Sequence, residues 1–242
     1  MCGRFITGNQ ADVEREFSID QPLWTFAQSF NVAPTQPVPV IRFQDDGQRI
    51  GAMMRWGLVP HFARGVAPKY STINATIENL ERGAAWRAPW KRGQRCIIPA
   101  AGFYEWHLGE DGKKNPFVIR LADQEIFGFA ALWDRSPNPD GGVIESCALV
   151  TMPANELMRR IHNTGAHPFR MPAVLAREDC ERWLTGLAEE AKETLKQYPD
   201  DCMVAHQVST RVNSPKNNDP SLIEPVDVRI AEDPGQLSLL QY

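Results

Sequence analysis

The sequence predicts an α+β fold: one β-dominated domain of strongly curved mixed or antiparallel sheets, barrel-like, with peripheral helices. Three observations lead there. Apolar or β-branched runs of strand length recur along the chain. Turn-forming clusters such as DDG, GEDGKKN and SPNPDGG bound them. Helical periodicity occurs in two places.

Taken in order, QADVEREFSI (10–19) is a short amphipathic helical segment. QPVPVIRF (36–43) and RIGAMMRW (49–56) read as strands around a DDG turn, and RCIIPAAGFYEW (95–106) is one apolar run. PFVIRLAD (116–123), EIFGFAALW (125–133) and VIESCALVT (143–151) resemble a three-stranded meander. REDCERWLTGLAEEAKETLKQY (177–198) carries Trp183, Leu184, Leu187, Ala188, Ala191 and Leu195 on one face, and Gly186 splits it into two helices. The Pro/Asn-rich NSPKNNDPSLIEPV precedes a tail, so the expected division is a domain over 1–226 and a flexible tail over 227–242.

Composition narrows the function class. The chain has 242 residues, 43% hydrophobic and 23% charged, which are the proportions of an ordinary soluble domain with a substantial core. FGFAALW is far too short for a membrane span, and no basic-then-apolar leader opens the chain. Five widely spaced cysteines form no CxxC pair, which argues against a zinc site or disulfide framework and for a reducing cytoplasm. No cofactor or metal is expected. The net charge of −4 gives no global argument for nucleic acid, so any such argument is local.

Several polar residues sit in unexpected company. Glu105 lies among Phe103, Tyr104 and Trp106. It either faces water on an alternating strand or is walled by aromatics, where desolvation would raise its pKa into the general acid/base range. Asn74, between Ile73 and Ala75, is either a turn or core amide or a functional one. RRIHNTGAHPFRMPAVL holds His162 and His167 in a Gly/Pro-containing loop, where one histidine near a nucleophile would serve as acid/base. In ERGAAWRAPWKRGQR (81–95), five cations against one carboxylate alternate with Trp86 and Trp90. That is either a solvated face or a groove for single-stranded nucleic acid.

Cys2 follows the initiator methionine in MCGRF. It is either a small buried hydrophobe or, once Met1 is removed, an N-terminal residue with amine and thiol on adjacent carbons. The amine titrates near ~7.7–8.0, so part of it is neutral at pH 7 and can attack an aldehyde. The thiol can then close a five-membered ring, with intramolecularity contributing roughly 7–11 kcal/mol when well oriented.

MCGRF, NVAPTQPVPV, RWGLVP, INA, RCIIPAAGFYEW, IHN, RMPAVL and VSTRVNSPKNNDPSLIEP occur in that order, and together they resemble the SOS response-associated peptidase (SRAP) family of abasic-site-processing proteins. The resemblance covers Cys2 to about Val226, so 1–226 is identified as a SRAP-like catalytic domain. It implies self-removal of Met1, then a reversible thiazolidine cross-link between Cys2 and an abasic site in single-stranded DNA, which shields the lesion; it also admits AP-lyase activity. Carried over by position, Cys2 is the nucleophile, Asn74 holds its amine or the opened sugar, Glu105 is the acid/base and His162 the proton donor. Arg4, Asn31 and Arg170 are expected at the DNA face with Phe62 and Trp86, and Arg87 is a phosphate candidate from the basic stretch.

Three departures stand out. Thr76 replaces the Arg that commonly follows Asn-Ala, TGAHPF separates Asn163 from Arg170, and HFARG leaves Phe62 as the sole stacking candidate where paired tryptophans are common. In the tail, Gln236-Leu237-Ser238-Leu239-Leu240 resembles the peptide by which bacterial proteins dock on the sliding clamp. The expected location is cytoplasmic and nucleoid-associated, and nothing demands more than a monomer. The competing functions are a thiol peptidase or amidohydrolase using the same cysteine, and a non-catalytic single-strand binder.

Overall fold

Largely apolar runs form the segments that pair, and the pairing closes a barrel. The computed structural model describes residues 2–44 and 46–226. Met1 and the tail 227–242, with its clamp-like Gln236–Leu240, lie outside the described residues. The strands are β1 (Phe5–Ile6), β2 (Gln21–Pro22), β3 (Pro37–Phe43), β4 (Arg49–Trp56), β5 (Asn74–Thr76), β6 (Arg95–Ala100) and β7 (Gly102–Leu108). They continue with β8 (Lys114–Leu121), β9 (Phe127–Pro137), β10 (Val143–Pro153), β11 (Arg170–Pro172), β12 (Val174–Leu175) and β13 (Met203–Gln207). The helices are α1 (Gln10–Phe17), α2 (Arg87–Lys91), α3 (Glu156–Ile161), α4 (Cys180–Thr185) and α5 (Ala188–Glu193).

The larger sheet runs β10-β4-β3-β6-β9, and β9 returns to pair with β10, so these five strands form a closed barrel. β4 joins β10 in parallel, while the other four pairings are antiparallel. Closure satisfies both strand edges. The second sheet is β1-β7-β8-β13. This is the predicted β-dominated α+β fold.

Two sequence expectations are corrected. The run 95–106 is two strands in two sheets, because the chain leaves the barrel at Ala101 and enters the second sheet at Gly102. Gly102 suits that crossing: a Cβ there would lie 3.0 Å from the Ile119 carbonyl oxygen. The meander holds only for β9 and β10, since β8 pairs with β7 and β13 instead. The helical segment at 177–198 does split at Gly186, with Trp183, Leu184, Ala191 and Leu195 buried and Leu187 exposed.

The two sheets share one core. Phe5 on β1 meets Trp56 of β4 edge-on at 5.2 Å between ring centroids, and Phe129 of β9 at 6.2 Å. The extreme N-terminus is thereby pinned against the barrel by aromatic packing. Burying Phe5 fully contributes on the order of 1.5–3 kcal/mol.

Candidate active site

Strand register delivers Cys2 to its neighbours. β1 runs antiparallel to β7 with Phe5 opposite Phe103 and Ile6 opposite Gly102, and the Tyr104 N–H donates to the Arg4 carbonyl at 3.0 Å. Following the chain back from Phe5 therefore lays Cys2 along the edge of β7 where Glu105 begins. Cys2 is fully buried, and its carbonyl accepts from Asn74 Nδ2 at 2.9 Å. Asn74 opens β5, which lies parallel to β10 with Asn74 across from Leu149. Its Oδ1 is buried and has no hydrogen-bond partner among the described residues. A buried orphan acceptor beside a nucleophile is a costly feature in a merely structural amide.

Glu105 is 2% exposed. Burial raises its pKa to about 7, opposed in part by the charge of the chain's N-terminus. The Cys2 thiol is pushed up by burial and then by the Glu105 charge. His162 is 3% exposed, and burial lowers its pKa to about 4, with the N-terminal charge adding to the effect. His162 Nε2 stands 3.8 Å from Glu105 Oε2, longer than a hydrogen bond.

The sequence leaves His162 or His167 as the acid/base; the structure puts His162 against Glu105 and His167 on the surface. His162 caps the C-terminus of α3, and its N–H donates to the Met158 carbonyl at 2.8 Å. The inserted TGAHPF loops out and returns, so that the Phe169 N–H donates to the His162 carbonyl at 2.8 Å. Phe169 achieves this turn with φ +59°. His162 and Arg170 thus stay adjacent despite the insertion. His162 Nδ1 lies 2.9 Å from the Arg170 carbonyl and 3.2 Å from its N–H. Both contacts fix the ring through Nδ1 and turn Nε2 toward Glu105.

The proposed DNA contacts divide. Asn31 is corrected to a structural bracket: it is buried, and Nδ2 donates to the carbonyls of Val212, Ser214 and Asn217 at 3.2, 3.0 and 2.9 Å. Trp86 is corrected too: at 8% exposure its ring sits in the core and offers no face to a base. Trp90 is buried beside Trp183, and Arg95 is buried with Nε donating to the Trp183 carbonyl at 2.6 Å. The Trp/Arg alternation at 81–95 is therefore amphipathic packing, with Arg87 outward.

Arg4 donates to Asn31 Oδ1 and to the Val212 and Asn213 carbonyls at 3.0, 2.8 and 3.2 Å. Arg170 forms a bidentate pair with Glu78 at 2.7 and 3.0 Å and donates to the Thr151 carbonyl at 2.8 Å. Both guanidinium groups are thereby held within the fold. Phe62 is 60% exposed, on a one-turn segment held by the His61 N–H donating to Asp134 Oδ2 at 2.9 Å. Asp134 also pairs with Arg92 at 2.9 Å, so the Phe62 segment and the end of α2 share one anchor.

Sequence reasoning missed several supporting residues. Asn163 accepts from the Leu108 N–H at 2.8 Å and donates to its carbonyl at 3.1 Å, fastening the histidine loop to the Glu105 strand. Trp106 Nε1 donates to Asn213 Oδ1 at 2.8 Å. Glu78 fixes Arg170, whose backbone orients His162. The motifs containing these residues were visible, but a pairing across the fold is not. Above Glu105 and His162 opens a cleft of about 390 Å³ lined by Trp106, Lys114, Thr164, Gly165 and Asn213. Among the described residues no group of three His, Cys, Asp or Glu is placed to hold a metal ion.

Comparison with known proteins gives a consistent family. Residues 1–215 match the family described as SOS response associated peptidase (SRAP). The chain is 38% identical over 230 residues to the Abasic site processing protein YoqW of Bacillus subtilis, covering 93% of this chain and 99% of that one. It is 31% identical to the Abasic site processing protein HMCES of Xenopus tropicalis, covering 81% of this chain and 65% of that one. A crystal structure of a Bordetella bronchiseptica protein superposes with TM-score 0.75 at 29% identity, over 86% of this chain and all (100%) of that one.

Proposed function

The chain belongs to the SOS response associated peptidase (SRAP) family, and from that premise we propose that it senses abasic sites in single-stranded DNA and links to them covalently through Cys2. The observation that carries this reading is a buried residue at position 2 held by Asn74 and within electrostatic reach of Glu105, with His162 directly behind Glu105. The relatives' shared name, abasic site processing protein, supplies the substrate class.

The chemistry begins with hydrolysis of the Met1–Cys2 bond by the chain itself, which frees the Cys2 amine. The amine then adds to the aldehyde of the ring-opened abasic sugar to give a carbinolamine. Loss of one water gives an imine, and Sγ adds to the imine carbon while its proton moves to nitrogen. The product is a thiazolidine, and one water leaves overall. Asn74 holds the Cys2 carbonyl and so anchors the backbone that carries the reacting amine and thiol. Glu105, with its pKa near 7, can give a proton to the departing hydroxyl and take one from the thiol. His162, kept neutral by burial and fixed at Nδ1 by the Arg170 backbone, faces Glu105 through Nε2 and can exchange a proton there, a role suited to sugar opening and to reversal.

The same geometry weighs against a thiol peptidase acting on other substrates. Such an enzyme attacks with a thiolate, and burial pushes the Cys2 thiol up, away from that form. Amine-first attack needs no thiolate. The clamp-like Gln236–Leu240 would, as an extension of this reading, bring the protein to replicating DNA.

Intact mass spectrometry after mixing the protein with a short abasic single-stranded oligonucleotide tests the proposal. The expected result is a starting mass lacking Met1, then a shift by the oligonucleotide mass less one water. Retained Met1, or no adduct, overturns it.

A further inference from the structure

The cations around the site are unequally committed. Arg4 donates to Asn31 and two carbonyls, and both terminal nitrogens of Arg170 donate to Glu78 and Thr151, while Arg170 Nε is buried with no partner among the described residues. Thr76 stands at the position where a cation was expected, and its hydroxyl accepts from Asn79 Nδ2 at 3.0 Å. At the β7–β8 hairpin, Lys113 pairs with Asp111 at 3.2 Å. Its neighbour Lys114 opens β8 opposite Leu108 and lines the cleft shared with Glu105, Trp106, His162, Thr164 and Asn213. Lys114 has no hydrogen bond or ion pair with any described residue.

An opened abasic sugar in a strand carries a phosphodiester on each side. Among the described residues that line the cleft, Lys114 is the one lysine or arginine, and a phosphate entering there needs a counter-charge. A lysine on a flexible stem supplies one without fixed geometry. We propose that Lys114 is the phosphate-docking residue of this cleft, holding a phosphodiester next to the lesion while Glu105 and His162 face the sugar. The inference rests on the DNA-lesion reading above. It adds a specific positioning residue outside the expected DNA contacts.

Wild type, Lys114→Gln and Lys114→Arg would be compared by two readouts at two salt concentrations. The first is equilibrium binding of intact single-stranded oligonucleotide by fluorescence anisotropy. The second is the cross-linking rate as a function of abasic oligonucleotide concentration. Lys114→Gln should weaken binding about three- to tenfold and lower the slope of log affinity against log salt by about 0.7. The half-saturating abasic DNA concentration should rise in step, the plateau rate should be unchanged, and Lys114→Arg should restore both. Equal binding and equal salt slopes for wild type and Lys114→Gln would overturn the assignment, as would a fall in plateau rate at unchanged half-saturation. Absence of any adduct in wild type would instead sink the functional reading, while the binding arm would still decide the role of Lys114.

Discussion

His162 Nε2 lies 3.8 Å from Glu105 Oε2, with both side chains buried and their pKa values driven in opposite directions. Burial disfavours the charged form of each, so the carboxyl holds its proton to about pH 7 while the imidazole stays neutral to about pH 4. Over most of the range between, the carboxyl is protonated and the imidazole neutral. Such a pair can pass a proton to and from a reacting group with little net charge to solvate.

Titration of this pair should be visible in stability. The Glu105 contribution is fully present below its ordinary value of 4.5 and is lost as pH rises through about 7, amounting to about 3 kcal/mol. The His162 contribution is present above its ordinary 6.5 and is lost as pH falls through about 4. The two slopes oppose each other where they overlap, so wild-type stability should be nearly flat there. Glu105→Gln should be more stable than wild type above pH 7 by about 1–3 kcal/mol, yet should weaken on acidification from 6.5 toward 4. Urea unfolding across this range tests it, and a Glu105→Gln profile parallel to wild type would refute the buried-pair assignment.

Cys2→Ala removes the thiol but leaves an N-terminal amine once Met1 is cleaved. A thiazolidine cannot form, so the denaturant-stable adduct should disappear while non-covalent DNA binding persists. A denaturing gel separates the two. An undiminished adduct in Cys2→Ala would sink the ring-closing mechanism.

Much of this site was legible in the sequence, and the reasons differ by residue. Cys2, Asn74 and Glu105 stand out because each is polar or reactive in a run otherwise built for a strand, a local conflict that the fold resolves by burying them. The barrel strands β3, β4, β9 and β10 were legible from composition and turn signals. Their partners were not: β8 leaves β9 for β7 because the chain changes sheet at Gly102, a tertiary event with only a glycine to mark it. Trp86 and Asn31 were misread for a related reason. A tryptophan between arginines and an asparagine before an apolar run look alike in sequence whether they face DNA or the interior, and only packing separates the cases.

Asn74→Ala should slow cross-linking by about 10²-fold, the scale expected when a reacting group loses its fixed orientation. The side chain contributes one donor to the Cys2 carbonyl and one orphan acceptor, so its removal should cost little stability relative to its effect on rate. Single-turnover kinetics at saturating DNA, beside a thermal melt, separates the two effects. A large melt shift with an unchanged rate would make Asn74 a structural amide.

Trp86→Ala and Arg87→Gln discriminate between the two readings of the basic stretch. Trp86 is buried where its ring fills the space beside Gly83, whose added Cβ would lie 2.4 Å from it. Truncation should leave a cavity and cost about 3–5 kcal/mol of stability. Arg87 is exposed on the first turn of α2, and replacing it should change stability by no more than about 0.5 kcal/mol. If Arg87 meets a phosphate, its loss should weaken single-strand binding and flatten its salt dependence, whereas Trp86→Ala should lower the melting temperature without altering the salt slope. The opposite pattern, a stable Trp86→Ala with selectively weakened DNA binding, would return Trp86 to the DNA face and contradict its burial.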